Sequence, residues 1–106
     1  MERIIQTLMA LAPHTRIAHH QPGRIRLKIF QSALNVLNTG DIGDFVESIP
    51  GILDYRVNLW AKSIVINYDG TRLPFDLWVL LAEMGRRPEL KPLVMARLKT
   101  LWAERT

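Results

Sequence analysis

The sequence predicts an α+β domain, and three observations carry that prediction. A strictly alternating run, "GRIRLKIF", demands a strand with one buried face, because residues two apart share a side of a pleated chain. A second alternating stretch, "ILDYRVNL" followed closely by "SIVINY", reads as a hairpin. Around these lie segments whose apolar residues recur every three or four positions, the period of a helix with one buried stripe.

Taken in order, residues 1–13 place Ile4, Ile5, Leu8, Met9 and Ala12 at helical spacing and stop at Pro13, which predicts a short amphipathic helix. From Gly23 the period becomes two. Ile25, Leu27 and Ile29 point one way and Arg24, Arg26 and Lys28 the other. Residues 31–40 read as a turn of helix broken by "NTG". Ile42, Phe45, Val46 and Ile49 then form a helical stripe closed by Pro50-Gly51, with Asp41 as favourable charge near the helix start. In the hairpin, Leu53, Tyr55, Val57 and Leu59 oppose Asp54, Arg56 and Asn58, and the link to the next strand contains Trp60-Ala61-Lys62. Pro74 and Asp76 open a helix striped by Leu77, Leu80, Leu81 and Met84, which "GRRP" halts. Residues 88–106 put Leu90, Leu93, Val94, Leu98, Leu101 and Trp102 along one side of a closing helix.

Strand, helix, strand, strand, helix is most of the split βαβ unit, a ferredoxin-like βαββα sandwich. Its fourth strand is missing: after Met84 comes "GRRPELKP", whose two prolines and four charges resist sheet pairing. Either the terminal helix replaces that strand or another chain completes the edge, so a homodimer is expected. Residues 14–87 form the central domain, flanked by additional amphipathic helices over 1–13 and 88–106. The stripes of these helices call for cover on the open sheet face or on a second copy, although Arg24, Arg26 and Lys28 argue against covering that face fully.

A chain of 106 residues, 48% hydrophobic and 23% charged, is enough for one globular core. The absence of cysteine excludes disulfides, zinc–thiolate sites and thiol nucleophiles. A net charge of +4 and a pI near 10.0 favour acidic partners without choosing among them. The longest largely apolar stretches, Ile4 to Ala12 and Leu77 to Ala82, fall far short of the roughly 20 residues that cross a bilayer. With no leader pattern, the chain is expected in the cytoplasm, or peripheral to the inner face of a membrane through its basic, Trp102-bearing C-terminal helix.

At "HHQPGRIRLKI", followed by "VESIPGILDYRVNLWAKSIVINYD", the sequence resembles the cysteine-free branch of the heavy-metal-associated (HMA-like) domain family, over roughly residues 17 to 84. His19, Pro22, Gly23, Arg24 and Arg26 match that branch's His-x-x-Pro-Gly-Arg-x-Arg signature, Pro50-Gly51 the end of its first helix, and Val57-Asn58 with Tyr68-Asp69 its hairpin. The resemblance implies the fold and a setting in metal or iron handling. Family members that carry copper do so through paired cysteines in the loop before the first helix, and "FQSALNVLNTGD" holds none. Thiolates select Cu(I), so copper carriage is not implied.

His14, His19 and His20 are the candidate metal ligands, for Fe, Zn or Ni, or for haem. Adjacent residues of an extended chain face opposite ways, so His19 and His20 share an ion only if the backbone turns at Gln21-Pro22-Gly23. A closed site would also need carboxylates, water, haem or a second subunit. The other reading makes them partly exposed loop residues. Arg24, Arg26 and Lys28 are candidate anion anchors, or simply the solvated face of a strand. Asp41, Asp44 and Glu47 form no catalytic pair, and no nucleophile with its base, P-loop or dinucleotide fingerprint is present, so no catalysis is expected. The functional expectation is a non-catalytic domain that binds a transition metal or haem, or docks to a membrane metal transporter. A ligand-free assembly module competes with it. Nucleic-acid binding ranks lower, because the cationic strand lacks the stacking aromatics that task uses.

Overall fold

In the computed structural model, which describes residues 2–103, the chain runs as α1 (Glu2–Leu11), β1 (Thr15–Gln21), β2 (Arg24–Ile29), α2 (Thr39–Ser48), β3 (Ile52–Asn58), β4 (Ser63–Tyr68), α3 (Phe75–Met84) and α4 (Lys91–Ala103). Single turns of 3-10 helix occur at Ala12–His14, Gln31–Asn35 and Pro88–Leu90. Met1 and residues 104–106, the ends of the expected terminal helices, lie outside the described residues.

The sheet is four-stranded and antiparallel, in the order β1-β2-β4-β3. This corrects the expectation of a missing strand: the place beside β2 is taken by residues that precede it. Pro22-Gly23 joins β1 to β2, with proline where a turn wants a fixed φ and Gly23 at φ +83°, a conformation that disfavours a side chain. Pairing passes from Ile17↔Leu27 to His19↔Arg26, so Ala18 is an extra, bulged residue. That bulge hid the strand. Thr15 and Ile17 lean inward at spacing two, but the next inward residue, His20, comes three later. The edge vacancy that motivated a dimer is therefore filled from within the chain, and β3 on the opposite margin is likewise bulged between Ile52 and Asp54.

One side of the sheet carries the whole core. Ile25 of β2 and Ile64, Ile66 and Tyr68 of β4 pack with Ile5 and Met9 of α1, Ile42 and Val46 of α2, Leu77, Trp78, Leu81 and Met84 of α3, and Val94, Leu98 and Trp102 of α4. The terminal helices bury most of their stripes in their own core rather than on the open sheet face or a second copy, the places expected for them; Leu93, expected on the buried side of α4, is instead 53% exposed. Trp102, proposed as a membrane anchor on α4, is only 3% exposed. Gly43 lets α2 approach β3 closely: a Cβ there would stand 2.9 Å from the Tyr55 hydroxyl. The expected inner row of the hairpin also needs correction. Tyr55 joins the margin of the core, but Leu53 sits in the bulge at 68% exposure and Leu59 lies beyond the strand at 65%. Among the described residues, no helix is long and apolar enough to cross a membrane.

Candidate functional site

The side of the sheet away from the helices is bare, and its side chains follow from the register. Three rows cross from β1 to β3: Gln21, Arg24, Asn67 and Asp54; His19, Arg26, Val65 and Arg56; Arg16, Lys28, Ser63 and Asn58. Among the described residues, five cations therefore share this face with one carboxylate, and that one, Asp54, accepts a hydrogen bond from Asn67 Nδ2 at 2.6 Å. The ion pairs of the described residues lie elsewhere, between Glu83 and Arg86, Arg87 and Glu89, and Asp76 and Arg97. Arg16, Arg24, Arg26, Lys28 and Arg56 have no such partner. Like charges directly opposite, as Arg16 and Lys28 are, destabilise a sheet, and an anion above the face would relieve that repulsion. His19, Gln21, Arg24, Arg26, Arg56, Asn58, Ser63 and Val65 line a shallow trough of about 370 Å³ there. Ser63 is buried beneath this surface, and its Oγ has no hydrogen-bond partner within the protein.

Arg24, Arg26 and Lys28, the predicted anion anchors, stand together on this face. Sequence reasoning missed the two cations that widen the stripe into a patch. Arg16 was hidden with its bulged strand. Arg56 was legible, since it alternates with Tyr55 and Val57 and so faces the same way as Asn58, away from the core.

The three predicted metal ligands are dispersed. The bulge at Ala18 sets His19 outward opposite Arg26, and His20 inward opposite the buried Ile25. His20 Nε2 lies 2.7 Å from the Tyr68 hydroxyl, its ring stacks on Phe75 at 3.7 Å and 4°, and the Trp78 ring meets it edge-on at 6.4 Å. Its Nδ1 is buried without a partner. Burial, and secondarily the neighbouring His19 charge, hold the His20 imidazole below its ordinary pKa of 6.5, so the ring favours the neutral form. His14, in the 3-10 turn before β1, bonds through Nδ1 to Ser32 Oγ at 2.8 Å. The two adjacent imidazoles therefore lie on opposite sides of the sheet. No group of three His, Cys, Asp or Glu among the described residues is placed to hold a metal.

His19 has cations for neighbours, which repel a metal ion rather than attract one. A haem would need an apolar slot, and Val65 is the only apolar side chain lining the trough beside His19. On the opposite side of the sheet, an apolar cavity of about 80 Å³ lies among Leu8, Ile17, Leu27, Phe45, Trp78 and Leu81. It offers no charged group to select a polar ligand.

The open sheet face of the described residues is thus a positively charged surface rich in hydrogen-bonding groups. Comparison of the chain with protein-family models, with curated proteins and with solved structures gives no match.

Proposed function

We propose that the chain is a non-catalytic docking domain that binds an anionic surface through its bare sheet face. One observation carries this reading: Arg16, Arg24, Arg26, Lys28 and Arg56 converge on one helix-free face with no ion pair among the described residues. Such an arrangement raises the local potential and steers anions toward it.

The fold part of the proposal is a ferredoxin-like sandwich in which the margin beside the first core strand is supplied by the N-terminal β1. The strand order and the position of α2 and α3 on one side of the sheet support it. Of the two halves of the metal-handling expectation, ligation and docking, the geometry favours docking. The resemblance to HMA-like domains enters the proposal as a fold and a setting, not as a ligand set.

A sulfated polysaccharide column tests the reading. The wild-type chain should be retained at low salt, and Arg24→Glu with Arg26→Glu should abolish retention while leaving the far-UV circular dichroism unchanged. Flow-through of the wild type would refute docking by charge. Zn(II), Ni(II) and haem titrations, expected to show no stoichiometric binding, address ligation separately. Tight binding that disappears in His19→Ala or His20→Ala would return the histidines to the account.

A further inference from the structure

We infer that the anionic surface is a lipid bilayer and that the β3–β4 hairpin tip inserts into its headgroup layer. The inference rests on the docking reading above. Leu59, Trp60, Ala61 and Lys62 form the tip; Leu59 is 65% exposed and Trp60 is 100% exposed, the most solvent-facing large apolar side chain described. A fully exposed tryptophan contributes nothing to the core.

The tip is held rather than loose. Ala61 N–H donates to Asn58 Oδ1 at 3.1 Å, Lys62 N–H to the Leu59 carbonyl at 3.3 Å, and the Lys62 carbonyl accepts from Ile29 N–H of β2 at 2.8 Å. The apolar surface continues beside it through Phe30, Leu34 and Val57, which with Leu59 line a shallow groove.

Charge complementarity selects the occupant. Lys62 lies in the tip itself, and Lys28 and Arg56 occupy the two rows of the open face nearest to it. Asp54, the one acid of that face, sits in the farthest row. Asp41, Asp44 and Glu47 belong to α2, on the helical side of the sheet. An apolar wedge led by tryptophan and backed by cations is the combination that suits an anionic bilayer, where the indole settles at headgroup level and each nearby Lys or Arg strengthens binding about fivefold. Single-stranded nucleic acid would want aromatics on the central strands, whose open-face residues here are Arg24, Arg26, Lys28, Ser63, Val65 and Asn67.

The test uses the intact chain with phosphatidylcholine vesicles, either alone or mixed with phosphatidylglycerol. Trp78 and Trp102 are buried, so solvent-exposed indole emission reports Trp60. Sedimentation with the anionic vesicles, a blue shift of that emission, and at least about a tenfold loss of affinity in Trp60→Ser are expected, with no binding to phosphatidylcholine alone. Unchanged vesicle binding in Trp60→Ser would overturn the insertion. Retention on the sulfated column without vesicle binding would overturn the bilayer and leave charge docking standing, whereas loss of both would remove the reading beneath it. Tighter binding to a single-stranded oligonucleotide than to vesicles, or a dimer that Trp60→Ser dissociates, would also overturn the inference, in favour of nucleic acid or of a second copy.

Discussion

His20 shows how one side chain is committed by its surroundings. Its ring lies between Phe75 and the edge of Trp78, one nitrogen meets the Tyr68 hydroxyl and the other has nothing to donate to. Burial, and secondarily the charge of the neighbouring His19, resist protonation of this ring, and the imidazolium would carry a proton on that second nitrogen with no acceptor. The folded-state pKa lies below 6.5, so above that value neither state takes up the proton and the residue adds no pH dependence. As pH falls through 6.5 the unfolded chain binds a proton that the folded chain refuses, and stability declines until the depressed folded pKa is passed. Urea midpoints measured from pH 7.5 to about 5 should therefore fall with pH. His20→Gln, which keeps a partner for Tyr68 and does not titrate, should show a shallower fall; equal slopes would mean that His20 titrates freely. Adjacent histidines at an extended segment were readable as a pair facing apart, but only the register decides which of them goes inward.

At the scale of elements, the clearest legible features were those whose spacing is unbroken. β2, α2 and α3 follow from uninterrupted periods of two or of three and four and end near the expected stops, although α2 begins at Thr39, within the expected "NTG" break. β1 was illegible because a bulge shifts its phase by one residue, and a period-two search fails across such a shift. Deleting Ala18 would bring Ile17, His19, His20 and Gln21 into plain alternation on the same faces they now occupy. The deletion should preserve the fold, with a melting temperature within a few degrees of wild type, while giving β1 a flatter margin that pairs with other chains; size-exclusion chromatography should show added oligomer. α4 poses the opposite question, whether it is an appendage. Leu98 is fully buried within the shared core, so Leu98→Ala should cost about 2–5 kcal/mol in chemical denaturation. A cost below about 1 kcal/mol would mark the helix as loosely docked.

Across the whole molecule, the net charge of +4 understates how the charge is arranged. Arg86, Arg87 and Arg97, on α4 and the segment leading to it, have carboxylate partners, while five cations with no ion pair among the described residues gather on the open sheet face. Solvent-exposed charges interact within a Debye length, about 10 Å at 0.1 M salt, so binding to any polyanion should weaken steeply as salt rises. Affinity for anionic vesicles or the sulfated column that is insensitive to salt would contradict the arrangement. Composition gave the sign of the charge, but its clustering depended on a strand order that brings β1, β2 and β3 residues into common rows. No one-dimensional pattern contains that.

The two hairpins that build the sheet also set how it is assembled. β1 meets β2 across a turn of two residues and β3 meets β4 across four, leaving β2 against β4 as the sole long-range seam between strands among the described residues. Had the outer strand followed α3 instead, its pairing with β2 would have required closing a loop across most of the chain, a step that is entropically slow. Drawn from in front, the same position is occupied by a neighbour already tethered at close range. A nascent chain emerging from the ribosome then has half of its sheet partnered before α2 is even synthesised.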